Sequence, residues 1–299
     1  MPASRMDLAD AGSPELLAKL ILEAEPDLPI PVPIEELCQR LDIMAIQDLD
    51  TDGFEGGLIT DTDRSEGIIL VKKGREERRR FTIGHELGHF LMPLHVPDQT
   101  GRFLCSRADM LRLKSKEGDR RQRMEAEANR FSSLILMPPT RLRQSMRSLR
   151  EPNLQHIPAL ARDYRVSKEA MARAYVQQHE EIIAILVTKG GRLLRSYKSI
   201  KFPYLVCSPG QAVPARSLLH RGPHNLGIAS CFAECVADVW TDVKWGERAP
   251  TIHEQVYAQR DGFALVLLHV DGVDEEEEDE DRQIEESWRV GFPMRSRRR

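Results

Sequence analysis

Between Phe81 and Phe90 the chain reads Phe-Thr-Ile-Gly-His-Glu-Leu-Gly-His-Phe, and this run restricts the fold more than any other stretch. Residues four apart stand one turn above each other on a helix, so His85 and His89 converge on a single point of one face. Glu86 projects about 100° around the axis, from a repeat of ~3.6 residues, and can reach a water held at that point without being a ligand. The string fixes only three residue types, and a solvated helix carrying two histidines would read the same. Its flanks argue for burial instead, because Phe81, Leu87, Phe90 and Leu91 supply an apolar side. Gly84 and Gly88 each cost about 1 kcal/mol in a helix interior, which predicts a close neighbour on that face.

A catalytic zinc usually keeps three protein donors and one open position, and two residues compete to be the third. His95 follows His89 by six residues, the spacing of the extended metzincin motif. That motif turns on a glycine where Met92 stands here, and Pro93 ends the helix. Glu125 is the other candidate, in the run from Arg123 to Pro138. Met124, Ala128, Phe131 and Ile135 there form an apolar stripe at helical spacing, with Glu125 and Asn129 in an adjoining polar row and Glu127 pointing elsewhere.

Together the two segments resemble the ImmA/IrrE family of metallo-endopeptidases. Its members pair an Arg-Phe-Thr-x-x-His-Glu-x-x-His helix with a downstream Glu-x-x-Ala-Asn-x-Phe helix that ends in Met-Pro. The resemblance implies an α+β fold with a zincin-like core and a small mixed sheet. It implies that His85, His89 and Glu125 bind Zn2+, that Glu86 is the general base, and that Asn129 orients a ligand. Ser132 and Ser133 depart from the small apolar residues usual at those positions, and the stretch between the helices is long. The resemblance covers the first half of the chain well and the rest loosely.

At 299 residues the chain exceeds what one core usually needs, so more than one domain is expected. The N-terminus lacks the apolar region of a secretory signal, and no run approaches the ~18 apolar residues of a membrane span. Five cysteines without a paired framework suggest a reducing cytoplasm, and a net charge of −4 gives no electrostatic reason to bind nucleic acid. The charged run Lys73–Arg80 mixes signs and reads as a solvated first helical turn. Cys105 reads as a buried structural cysteine, with the alternative that its thiolate approaches the metal and displaces water.

Helical periodicity covers 14–24 and 34–41, and 43–46, 57–59 and 67–71 read as short strands. Gly56–Thr60 reads either as an edge strand to which a peptide substrate could add or as an ordinary interior strand. Beyond Pro138-Pro139, residues 157–175 read as helix, turn, helix, with Ser167 as the N-cap of the second. Few basic or amide groups stand on that second helix, so packing against the core is favoured over DNA reading. Residues 182–187, 204–206, 235–240 and 263–268 read as strands, with a hairpin turn at Lys189-Gly190-Gly191. A metal site at His224, Cys231 and Cys235 lacks a fourth donor. The block Asp274–Asp281 repels itself and reads as disordered, ahead of a basic terminus.

The expected layout is a zincin-like domain over 1–140, a helix-turn-helix-like segment over 141–180, a C-terminal α/β or β-rich, sensor-like domain over 181–271, and a charged tail over 272–299. By resemblance, the substrate is a protein, a transcriptional repressor or antitoxin, cut in the cytoplasm. The rival is a non-catalytic regulator that binds DNA or a repressor and keeps a structural metal. Neither the activating signal nor the oligomeric state is legible.

Overall fold

The first turn of helix is α1 (Arg5–Leu8). Ser13, extended in backbone, then accepts a hydrogen bond from the Leu16 amide at 3.2 Å, and Pro14 takes the first helical position, so the chain enters α2 (Pro14–Ala24). After α3 (Ile34–Arg40) come β1 (Ile43–Leu49), β2 (Gly56–Thr60) and β3 (Gly67–Lys72), the long helix α4 (Glu76–Leu91), the short strand β4 (Arg102–Cys105) and a second long helix, α5 (Arg120–Leu136). This computed structural model describes residues 4–61, 63–97, 102–112, 114–116, 118–149, 151–242 and 249–271. The chain divides into two compact units, Met1–Glu151 with Gln155–Gln178, and Pro152–Leu154 with His179–Arg299.

In the first unit the strands are ordered β1-β3-β2-β4; β1 runs parallel to β3 and the remaining pairs are antiparallel. β2 is therefore interior, so of the two readings of Gly56–Thr60 the interior strand holds and the free edge does not. Gly56, Gly57, Leu58 and Thr60 are buried, and a strand buried to that extent needs a partner on each side for its amides and carbonyls. Leu58, Ile69, Ile83, Leu87, Phe131 and Ile135 are fully buried, each worth ~1.5–3 kcal/mol of apolar burial.

Gly84 and Gly88 do mark a close approach, and the neighbour is α5. A Cβ on Gly84 would lie 2.7 Å from Ser132 Oγ, and one on Gly88 3.0 Å from the Phe131 ring and 3.3 Å from the Ala128 backbone. The hydroxyls that replace small apolar residues in α5 are both used. Ser132 Oγ donates to the Phe81 carbonyl of α4 at 2.8 Å, and Ser133 Oγ donates to the Asn129 carbonyl at 2.9 Å. The basic residues at the start of α4 are likewise committed within the unit: Arg79 pairs with Asp48 at 2.7 Å and with Glu35, and Arg80 donates to the Val32 carbonyl at 2.7 Å.

Three helices complete this unit: α6 (Pro139–Met146), α7 (His156–Asp163) and α8 (Lys168–Gln178). Ser167 caps α8 as expected, accepting from the Ala170 amide at 3.1 Å. Arg173 of α8 donates to Ser133 Oγ at 2.6 Å, and Tyr164 meets Ser145 at 3.0 Å, so the pair is tied to α5 and α6.

The second unit is an antiparallel sheet of order β6-β5-β9-β8-β7, built from β5 (Ile182–Lys189), β6 (Arg192–Lys198), β7 (Ala233–Cys235), β8 (Ile252–Ala258) and β9 (Phe263–Val270). Gly190 and Gly191 take φ of 55° and 72° in the β5–β6 turn, a conformation open to glycine at little cost. Among its described residues this unit has 3-10 turns but no α-helix, so it is β-rich. Two expected strands are corrected. Leu205 makes only an isolated bridge to Thr241, and 237–239 form a 3-10 turn that seats the fully buried Trp240. The charged tail expected over 272–299 lies outside the described residues. Among the described residues no helix is long and apolar enough to cross a membrane.

Candidate metal centre

The donors come from three elements. His85, Glu86 and His89 lie on α4, Glu125 and Asn129 on α5, and Cys105 ends β4; all are buried. The tight α4–α5 seam brings Glu125 Oε2 to 3.2 Å from His85 Nε2 and 3.6 Å from His89 Nε2, and the two Nε2 atoms lie 3.0 Å apart.

Hydrogen bonds behind the imidazoles fix which nitrogens carry protons. Asn129 Nδ2 donates to the carbonyls of Asp109 at 2.7 Å and Arg112 at 2.9 Å, leaving Oδ1 to face His85 Nδ1 at 2.9 Å. An amide oxygen only accepts, so His85 Nδ1 holds the hydrogen, and in the neutral ring Nε2 presents a lone pair. A second chain orients His89. Glu127 Oε2 lies 3.0 Å from His95 Nε2, and His95 Nδ1 lies 2.9 Å from His89 Nδ1. Burial holds His95 near a pKa of 3, so its ring is neutral. His95 then donates to Glu127 through Nε2 and accepts from His89 through Nδ1, which leaves His89 Nε2 unprotonated.

Two lone pairs 3.0 Å apart, with a carboxylate oxygen beside both, repel unless positive charge lies among them. Glu125 Oε2 makes no hydrogen bond, and neither does Glu86 Oε1. Burial opposes charge on His85, but the nearby carboxylates of Glu125 and Glu86 outweigh it and raise its pKa. Burial dominates at His89 and lowers its pKa to about 3. At Glu125 burial is outweighed by the two imidazoles, which hold the carboxyl below the usual carboxylate range. The field that would draw a proton onto His85 draws a cation equally well.

Cys105 Sγ lies 3.7 Å from His89 Nε2, 3.9 Å from Glu125 Oε1 and 4.0 Å from Glu86 Oε2. One donor atom each from His85, His89, Cys105 and Glu125 falls within 4.8 Å of the others. Bond lengths of ~2.0–2.3 Å give a tetrahedral zinc shell edges of roughly 3.3–3.8 Å, close to the 3.0–3.7 Å separations that link His85, His89, Glu125 and Cys105 Sγ through His89. Glu86 stands beside these atoms with its pKa raised to about 8, chiefly by burial and further by Glu125. Gly56 of β2 makes room for it: a Cβ there would lie 2.5 Å from Glu86 Oε1.

The structure thus gathers His85, Glu86, His89 and Glu125 in one buried cluster. His95 is not among the clustered donors but orients His89 from behind. Glu127, read as pointing elsewhere, holds His95 in turn. Cys105 is buried, yet among the donors rather than in an inert core position. A signal was present in principle: inward-facing residues alternate along β4, and its register sets Cys105 opposite Gly56, the residue that accommodates Glu86. His224, Cys231 and Cys235 form no such group among the described residues.

Residues 38–175 match the model of the peptidase M78 family, described as the IrrE N-terminal-like domain. No curated protein matches the chain significantly. Among solved structures the chain is similar to a Mycobacterium tuberculosis transcriptional regulator, with a TM-score of 0.51 at 15% identity over 86% of this chain and 76% of that one. That likeness concerns the fold.

Proposed function

We propose, on the premise that residues 38–175 belong to the IrrE N-terminal-like family of M78 peptidases, that this chain is a zinc-dependent endopeptidase acting on a protein substrate. His85, His89 and Glu125 are the residues that would hold the ion. Bound there, a divalent cation supplies Lewis acidity for the scissile carbonyl and acidifies water. Glu86 takes the proton of the attacking water and returns it to the leaving amine. Asn129 and His95 keep the histidine lone pairs aimed at one point, so little reorientation is needed when an ion arrives. The observation that carries this reading is the opposed Nε2 pair, 3.0 Å apart, beside a carboxylate oxygen that lacks a hydrogen bond.

The substrate class we favour is a transcriptional repressor or antitoxin met in the cytoplasm. The resemblance to ImmA/IrrE endopeptidases suggests it, and a role in transcription is also that of the similar mycobacterial protein. Transcriptional regulation by that protein is equally compatible with the rival reading, a regulator in which the metal is structural. Commitment of Arg173 to Ser133 weighs against α8 as a DNA-reading helix. The zinc-loaded chain and its Glu86→Gln variant should be incubated with candidate repressors and searched by mass spectrometry for new termini. Cleavage lost in a variant that still binds zinc supports the enzyme. Equal biological output from both proteins would support the regulator.

A further inference from the structure

We propose that β4 is an internal plug of the metal centre: Cys105 is its fourth protein donor, and the strand covers the edge of β2 that an extended peptide would need. The inference rests on the metal reading above. It goes beyond that reading by assigning the described conformation to a closed state.

The two inward residues of β4 meet the metal helix together. Phe103 stacks on the His89 ring at 4.7 Å between centroids and 25° between planes, and Cys105 Sγ reaches within 4.0 Å of donor atoms on both long helices. Arg102 and Leu104 alternate outward. Beneath this cover His85, Glu86 and His89 have no exposure, and Glu125 has 3%. A nearby cavity of about 450 Å³ is lined by Leu94, Lys116, Arg120, Met124 and Glu127, and by none of the donors. Hydrolysis requires a scissile carbonyl and a water at these atoms, and the described conformation admits neither.

β4 pairs antiparallel with β2, from Gly56 opposite Cys105 to Ile59 opposite Arg102, and the Glu55 amide donates to the Cys105 carbonyl at 2.9 Å. Withdrawal of β4 would leave the outer backbone groups of β2 unpaired directly beside Glu86, a template for an added strand. The two vacant needs coincide: a substrate strand takes the place of β4, and water takes the place of the thiol. The buried, unpartnered Glu86 Oε1 and Glu125 Oε2 point independently to a ligand at this spot. Four protein donors close a zinc site, whereas three leave it open for water. The exchange is acid–base only. On ligation the Cys105 thiol proton passes to solvent and a sulfur lone pair goes to the ion; on release sulfur regains a proton.

X-ray absorption at the zinc edge of the full chain tests this without reference to turnover. One sulfur neighbour at ~2.3 Å with nitrogen or oxygen at ~2.0–2.1 Å is expected, and the sulfur should vanish in Cys105→Ser. Nitrogen and oxygen alone in the wild type, or sulfur retained in the variant, overturns the plug and leaves the zinc reading intact. Absence of stoichiometric zinc removes both. Should Cys105→Ser fail to fold, cobalt-loaded wild type gives the same answer: a thiolate-to-cobalt charge-transfer band is expected, and its absence overturns the proposal. Acetohydroxamate, a small metal chelator, should bind zinc-loaded Cys105→Ala roughly tenfold or more tightly than wild type, because no thiolate must first leave. Equal affinity would show that the site is not closed.

Discussion

Glu254 in the second unit and Glu125 in the first are both buried carboxylates, in surroundings of opposite kind. Glu254 Oε1 accepts from Ser217 Oγ at 2.5 Å and Oε2 from Trp240 Nε1 at 3.2 Å, so each oxygen has a proton donor. Glu125 Oε2 faces nitrogen lone pairs instead, and Glu86 Oε1 beside it faces nothing that donates. An ionised carboxylate buried without donors costs several kcal/mol. The contrast teaches that burial alone does not mark a site. A buried acid whose partners are complete belongs to the core, and one whose partners are lone pairs is waiting for a cation.

The sharpest way to break that contrast is pH. In the metal-free chain Glu86 has a pKa of about 8 against 4.5 for the ordinary side chain, so the folded state holds the proton more tightly. Its contribution to stability is full below 4.5 and is lost as pH rises through 8. Urea unfolding of the metal-free protein should therefore weaken across this window by of order 3–5 kcal/mol, and Glu86→Gln should flatten the loss. Equal slopes in both proteins would sink the idea that Glu86 is the strained acid.

Removal of a donor comes next. His89→Ala should lower zinc affinity by on the order of 10²–10³-fold, about 3–4 kcal/mol, if the donors share the free energy of a zinc site evenly. An unchanged affinity in competition with a chromogenic chelator would exclude His89 from the shell. Glu254→Ala should destabilise the second unit by ~1–3 kcal/mol, leaving Ser217 and Trp240 without their acceptor, and this loss should be the same with or without zinc. A zinc-dependent loss would erase the distinction between the two acids. Smallest is Asn129→Ala, expected to weaken zinc binding ~10–100-fold with the donor set intact. A change in coordination number by X-ray absorption would show that Asn129 does more than orient His85.

The two units also differ in how much of each could be read from the sequence. α4 and α5 are legible because function and packing write on the same residues: histidines at helical spacing, glycines at the seam, an apolar stripe around Phe131. β8 is not legible, since Glu254 and Gln255 interrupt its apolar pattern. Both are buried, with Gln255 accepting from the Leu154 amide at 2.7 Å and donating to the Ser230 carbonyl at 3.0 Å, so their polarity is satisfied by loops distant in sequence. The misassigned 235–240 stretch fails for the opposite reason, its apolar residues being needed around a turn that buries Trp240. In the site, the His95–Glu127 relay and the placement of Cys105 depend on pairings 32 and 20 residues apart, which no local period records.

The helix crossing at Gly84 and Gly88 carries one more consequence. Because the seam leaves no room even for a methyl group, α4 and α5 cannot slide past each other without a clash, and the proposed donors His85, His89 and Glu125 sit on both rails. Separation of the helices would strip an ion of its ligands all at once, so metal release and loss of this core should occur as a single cooperative event.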